Sequence, residues 1–466
     1  MTSPLPKNIH FVGIGGIGMS GIAELLINLG YNISGSDVSS SDITKRLEGL
    51  GAKIFLGHHS TNINDAKLVV TSSAIKQDNP EVLEAKKRRI QVIPRAEMLS
   101  ELMRVKEGIA IAGMHGKTTT TSLVGTILAY AGLDPTIVVG GKLNALGSNA
   151  KLGGGKYLVA EADESDRSFL LLSPKMAVVT NIDMEHLDHY KDLAEIKEAF
   201  LKFLSRLPKN GTAVLCIDNQ DVRSLIPKID SSVITYGISP EAEYRASDIK
   251  YNGVITSYKC YRKKDLLGSI TLPMPGVHNV TNSLAAIAVA IALGIPFQKI
   301  KDGLKEFRGV QRRFTIKGEF KDVVVIDDYG HHPTEIRAII QATKTAYPSQ
   351  RIVLAFQPHR YSRTKSLFSE FTKCFDGVDI LLLSEIYPAS EDPIPGITGK
   401  ALIEAIGKRG HKCALYCANR VDIPKTLWPL LKKNDIVITM GAGDISKTGP
   451  EILNLLEEKG LPCLNN

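Results

Sequence analysis

The sequence predicts an α/β protein of three domains, each built on an open, mostly parallel sheet flanked by helices. Three observations carry this. Short β-branched runs are repeatedly followed by amphipathic helical patterns, the alternation that yields parallel strands joined by crossover helices. Two glycine-rich turns each stand between a strand-like run and a helical one. The chain's 466 residues accommodate about three cores at roughly 150 residues each.

In order along the chain, Ile9–Ile14 reads as a strand that feeds a helix over Gly18–Leu29, with further strands at Ile33–Ser36 and Lys67–Ser72. A second series opens with a strand at Gly108–Ala112 and a helix from Lys117, then strands at Tyr157–Glu161 and Ala177–Asn181. Between Val233 and Leu272 the pattern changes to alternating strand-like segments, and a helix follows from Asn279 to Leu293. A third series begins near Phe314, with strands at Val323–Asp327, Ile352–Phe356, Ile380–Ser384 and Ile436–Met440. Boundaries near 106 and 313 then divide the chain into domains 1–106, 107–313 and 314–466.

Composition narrows the function classes. Hydrophobic residues make up 43% and charged residues 23%, a balance that fits a packed globular protein and excludes a largely disordered one. The net charge is +8. The densest basic run, Lys86 to Arg89, reads as a solvated helix face and not a nucleic-acid patch. The six cysteines form no C-x-x-C pair, which points to reduced thiols in the cytoplasm. The longest apolar stretch, Ala285 to Phe297, is too short to span a bilayer, and no secretory signal is expected.

The first chemical motif is Gly13-Ile14-Gly15-Gly16-Ile17-Gly18, which matches G-x-G-x-x-G after a strand and before a helix. Glycines permit a tight turn and close backbone approach, and the helix N-terminus offers N–H groups to a pyrophosphate. Asp37 follows the next strand, where Rossmann-like domains place a ribose-binding carboxylate. NAD, FAD or any other nucleotide diphosphate suits this motif.

The second loop, Gly113-Met114-His115-Gly116-Lys117-Thr118-Thr119, makes the central domain a P-loop-type ATPase domain. Its Gly-x-x-Gly spacing is shorter than the usual phosphate loop, since Ile111 stands where the strict pattern needs glycine. Backbone N–H groups still wrap phosphate oxygens, Lys117 reaches the β- and γ-phosphates, and the Thr118 hydroxyl suits Mg2+. ATP is the expected ligand. Two acidic turns at successive strand ends, Glu161 to Asp166 and Asn181 to His189, supply carboxylates and imidazole for a magnesium site. His278, Asn279 and Asn282 open a helix with amides that suit an adenine edge or simply cap the helix.

In the third domain, Asp327 to Pro333 and Gln357 to Arg363 each follow a strand. Two such clusters converge on one edge of the sheet, where Arg360 and Arg363 are able to fork onto a carboxylate or a transferring phosphoryl group.

Taken in order, these motifs resemble the Mur ligase family over nearly the whole chain: the glycine fingerprint, Gly116 to Thr119, Glu161 to Glu164, Asn181 to His186, His278-Asn279 with Asn282, Asp328 to Pro333 and His359 to Arg363. Gly13 to Gly21 and the paired His331-His332 most resemble the alanine-adding members. The resemblance implies ATP-dependent ligation of L-alanine to the carboxylate of UDP-N-acetylmuramate, through an acyl phosphate and a tetrahedral intermediate, in peptidoglycan precursor synthesis. On that reading the first loop takes UDP and not a redox cofactor. Lys117 and the loop N–H groups hold the triphosphate, Thr118 and Glu161 bind one Mg2+, and His186 a second. His278, Asn279 and Asn282 face the adenine. Tyr329, His331, Arg360 and Arg363 lie near the amino acid and the reacting phosphate. Gly15, Gly16, Asp37, Ser72, Ser73, Asn144 and Ser165 fall along the UDP-sugar path. The implied partners are these small molecules alone, with no nucleic acid or membrane insertion and at most a weak homodimer.

Two departures stand out. Met114 occupies a position where the family usually has a small hydroxyl residue, which backbone donors tolerate. Leu201 stands about where several members carry a carbamylated lysine, so no carbamylation is expected. The competing readings are an amide ligase acting on another UDP-muramyl peptide or on folate, an NAD-dependent dehydrogenase that leaves Lys117 idle, and a non-catalytic nucleotide-binding protein.

Overall fold

A computed structural model describes residues 5–72, 74–139, 150–185 and 189–462. Three sheets account for its strands. The first runs in the order Lys53–Leu56, Asn32–Asp37, Asn8–Val12, Leu68–Thr71, Gln91–Pro94, with every pairing parallel. Its central strand is buried on both faces, as a parallel sheet requires, with Ile9, Phe11 and Val12 packed away from solvent. The helix Ile17–Asn28 returns over this sheet and buries Met19, Ile22, Leu25 and Leu26.

The second sheet has ten strands, in the order Asp265–Leu272, Ile255–Arg262, Tyr244–Asn252, Ser232–Gly237, Thr212–Cys216, Met176–Val179, Glu107–Ala112, Tyr157–Glu161, Thr136–Val138, Ala150–Lys151. The helix Lys117–Tyr130 starts directly after Gly116, whose φ of +83° is natural for glycine and strained for other residues. It sinks Leu123, Val124, Ile127 and Leu128 into the core.

The third sheet runs Thr315–Phe320, Val323–Asp328, Asp435–Met440, Arg351–Phe356, Ile380–Ser384, Ala414–Cys417. Only the first of these pairings is antiparallel, with a bulge between Ile316 and Gly318. The helix Pro333–Ala346 begins with proline at its first position. Glu335 closes a capping box there by accepting from His331 N (2.9 Å) and His332 N (3.2 Å).

The three sheets and their parallel character agree with the fold class expected from sequence. One strand ends early: the run expected to reach Asn181 stops at Val179, because Thr180 and Asn181 turn to bond the phosphate loop. By packing, the chain forms two compact units, residues 1–247, 260–268 and 281–308 in one and 248–259, 269–280 and 309–466 in the other. Among the described residues, no helix is long and apolar enough to cross a membrane.

Candidate active site

In the first sheet the glycine loop is fastened to the end of the neighbouring strand. Gly13 N and Ile14 N donate to Ser36 O (2.8 and 3.0 Å), and Gly15 N donates to Asp37 Oδ2 (2.8 Å). Asp37, expected to meet a ribose, instead shows in the structure a bond that orders the loop. Side chains at Gly15 and Gly18 would run into Asp37 and Arg95, and one at Gly13 would crowd Ile75, so glycine is what lets this turn pack so closely. Ser72 Oγ stands 3.5 Å from the point a Gly13 side chain would occupy, which puts it beside the loop. Ser73 and Asn144 lie outside the described residues.

The phosphate loop is held closed from the next strand. Met114 N donates to Asn181 O (3.2 Å) and His115 N to Asn181 Oδ1 (2.9 Å). His115 O accepts from Thr180 Oγ1 (2.6 Å) and Asn181 Nδ2 (2.9 Å). Two of the loop amides expected to wrap phosphate thus close the loop itself. Asn282 packs against the loop as well: its Oδ1 is 2.6 Å from where a Gly116 side chain would start.

Lys117 Nζ sits among oxygens, 2.7 Å from Gly113 O and 2.7 Å from Glu164 Oε1. Burial pushes its pKa down, but the carboxylates of Glu164, Asp163 and Glu161 outweigh burial and hold the ammonium above its ordinary value. Glu161 ends its strand in register with Ile111, two residues before Gly113. Asp163 accepts from Ser165 through its N–H and hydroxyl (3.0 and 2.7 Å) and faces Arg95 at 3.5 Å. Ser165 therefore shapes this acidic turn. Tyr190 OH braces the same turn by donating to Glu164 O (2.7 Å). His115 Nε2 lies 3.2 Å from Asp183 Oδ2. His186, expected as a metal ligand, lies outside the described residues.

The second unit carries the other cluster. Tyr329 lies under two guanidinium groups, Arg312 at 5.1 Å and Arg313 at 5.3 Å from its ring centre. His331 meets Tyr329 edge-on at 5.4 Å and His359 at 5.9 Å, and His359 stacks on Tyr387. Arg363 Nη1 reaches His359 Nδ1 at 3.2 Å. Burial, with His331, Arg363 and Arg360 nearby, pushes the His359 pKa down to about 3, so its ring is neutral. Arg360 has a φ of +71° and its N–H donates to Tyr387 O (2.9 Å). The strand-end convergence expected from sequence is present, since Asp328, Phe356 and Met440 end adjacent parallel strands. In the same unit, Asn279 Nδ2 donates to Pro275 O (2.7 Å), and burial pushes the His278 pKa down to about 4.

Sequence reasoning passed over Thr180, Arg95, Arg312 and Arg313, and gave Glu164 and His359 no role beyond membership of their motifs. Their signal was positional: each stands within a few residues of a strand end or a recognised motif, but the partner that fixes it is distant in sequence.

Comparison with known proteins assigns the family. Residues 8–107 match the Mur ligase family catalytic domain, 111–290 the Mur ligase middle domain and 312–443 the Mur ligase glutamate ligase domain. The chain is 57% identical over 451 residues to a UDP-N-acetylmuramate–L-alanine ligase of Geotalea uraniireducens, covering 97% of this chain and 98% of the relative. It is 55% identical to one of Trichlorobacter lovleyi, covering 97% and 99%. Among solved structures, a UDP-N-acetylmuramate–alanine ligase from Thermotoga maritima superposes with a TM-score of 0.82 at 30% identity, over 97% of this chain and 99% of that one. The chain belongs to the Mur ligase family.

Proposed function

We propose that this chain joins L-alanine to UDP-N-acetylmuramate at the expense of ATP, releasing ADP and phosphate, in the cytoplasmic stage of peptidoglycan precursor synthesis. The observation that carries this reading is Lys117: a largely buried, charged lysine in a phosphate loop, at the end of the sheet where Glu161, Asp163 and Glu164 gather. A dehydrogenase has no work for such a lysine. The near-full-length relatives named for the alanine reaction favour it over other amide ligases.

In the reaction, an oxygen of the muramate carboxylate attacks the γ-phosphorus of ATP and ADP leaves. The amine of alanine then adds to the acyl-phosphate carbonyl, and the tetrahedral intermediate collapses by expelling phosphate, which carries away the attacking carboxylate oxygen. No enzyme nucleophile is required; positioning and charge neutralisation suffice. Lys117 and the opening of its helix would hold the triphosphate. Arg360 and Arg363 would neutralise charge on the transferring group, with His331 and Tyr329 beside the amino acid. The glycine loop, Asp37 and Ser72 would take the UDP-sugar.

The donors at the phosphate loop fit Mg2+, a hard cation that prefers oxygen: the Thr118 hydroxyl and the Glu161 carboxylate would hold it. When bound, the ion supplies charge neutralisation on the phosphate oxygens. We propose domain boundaries near 106 and 313, assigning UDP-sugar, ATP and amino acid to successive domains.

The chemistry is tested with UDP-N-acetylmuramate labelled with 18O in its carboxylate. One labelled oxygen should appear in phosphate per turnover. Unlabelled phosphate would exclude the acyl-phosphate route.

A further inference from the structure

Behind the glycine loop of the first sheet, five side chains meet that no step of the ligation uses. Glu81, on the helix Pro80–Lys87, is fully buried. Its Oε2 accepts from Ser36 Oγ at 2.5 Å and lies 3.3 Å from His58 Nδ1, while Oε1 accepts from Asn62 Nδ2 at 2.6 Å. His10, also fully buried on the central strand, presents Nε2 to Oε2 at 3.7 Å and bonds Ser34 Oγ through Nδ1 at 2.8 Å. His58 Nδ1 is 2.9 Å from Ser36 Oγ. Burial raises the Glu81 pKa, but the His10 imidazole, the Ser36 hydroxyl and the Asn62 amide outweigh it and hold the carboxyl below its ordinary value. A buried carboxylate is costly unless fully satisfied, and replacing buried charged groups by apolar side chains of similar volume is often neutral or stabilising.

What this cluster grips is the residue that sets the loop. Ser36 O accepts from both Gly13 N and Ile14 N, and the next residue, Asp37, accepts from Gly15 N. Three successive loop amides therefore depend on two consecutive residues, and the first of these is pinned from the far side by Glu81. We infer that Glu81 is a positioning residue for the UDP-sugar: acting through Ser36, it fixes the glycine loop in the geometry that admits the nucleotide diphosphate. The inference rests on the reading above that this loop, and not the phosphate loop, takes the UDP moiety. Asn62 and His58 hold the carboxylate in turn, so the strand Asn32–Asp37, the segment following Lys53–Leu56 and the helix Pro80–Lys87 act on the loop as one polar unit.

The test is calorimetric titration of the full chain with UDP and, separately, with Mg-ATP, for wild type, Glu81→Gln and Ser36→Ala. Both variants should weaken UDP binding at least tenfold and leave Mg-ATP within twofold of wild type. A merely structural role would not split the two nucleotides, so parallel weakening of both would overturn the inference. UDP affinity within twofold of wild type in Ser36→Ala would overturn it too, and that variant decides the matter if Glu81→Gln fails to fold. A wild type that binds no UDP would overturn the loop's assignment and this inference together, whereas wild-type binding indifferent to both substitutions overturns the inference alone.

Discussion

Lys117 and Glu164, both within the stretch that matches the Mur ligase middle domain, form an ion pair, Nζ to Oε1 at 2.7 Å, with the glutamate wholly buried and the lysine side chain 18% exposed. The sequence separates them by 47 residues, and the parallel pairing of Glu107–Ala112 with Tyr157–Glu161 brings them together. The pair keeps the ammonium charged and held at the mouth of the phosphate loop before any nucleotide arrives.

Removing one member should therefore cost more than removing both. Lys117→Ala should abolish turnover and, by stranding a buried carboxylate, destabilise the chain by about 3 kcal/mol. The double variant Lys117→Ala/Glu164→Ala should recover part of that stability and none of the activity. Urea unfolding of the four members of the cycle measures this; additive losses would show that the pair is not coupled.

Gly116→Ala should impair ATP binding specifically. The substitution places a Cβ at a φ of +83° and 2.6 Å from Asn282 Oδ1, so the loop must reopen. The KM for ATP is expected to rise at least tenfold, with UDP affinity within twofold of wild type.

Arg360 occupies backbone space that other L-residues rarely adopt, with φ +71° and ψ 136°, a strain worth on the order of 1–3 kcal/mol. Glycine at this position should relieve it, offset in part by glycine's greater freedom when unfolded. Arg360→Gly is then expected to melt at or above the wild-type temperature while losing at least a hundredfold in turnover; Arg360→Ala should lose the activity without the stability gain. Melting of Arg360→Gly well below both would remove the strain argument.

Acid should weaken the second compact unit through His359. Its folded pKa, pushed down to about 3 by burial and neighbouring cations, lies below the ordinary value near 6.5. Between these limits the unfolded chain binds a proton that the folded chain refuses, so stability is lost as pH falls below about 6.5. His278, pushed down to about 4, acts in the same direction. Asp328, raised to about 6 mainly by burial, acts oppositely, favouring the fold as pH falls from about 6 toward 4. His359→Gln should flatten the decline of the urea midpoint between pH 6.5 and 5; an unchanged slope would place the acid sensitivity elsewhere.

The sheet strands with long apolar runs were legible in the sequence. Tyr157–Glu161 and Ile380–Ser384 fall where the β-branched pattern puts them. The strands Lys53–Leu56 and Gln91–Pro94 were not, because edge strands of four residues with exposed ends lack a run of their own. The phosphate-loop spacing pointed to Lys117, and polar clusters after predicted strands pointed to Glu161 and Arg360. Arg312 and Arg313 escaped because their partner, Tyr329, is brought to them by the hairpin of Thr315–Phe320 with Val323–Asp328. The buried group around Glu81 escaped for the same reason: His10, Ser36, His58 and Asn62 form no spacing pattern, and only the sheet order gathers them.

The central claim is tested most directly by ADP release with Mg-ATP and UDP-N-acetylmuramate, comparing no amino acid, L-alanine, D-glutamate and glycine. Release that depends strongly on L-alanine, with the amide-linked product identified by mass, is the expected result. ADP release indifferent to L-alanine, or greater with D-glutamate, would contradict it and assign the C-terminal cluster another substrate.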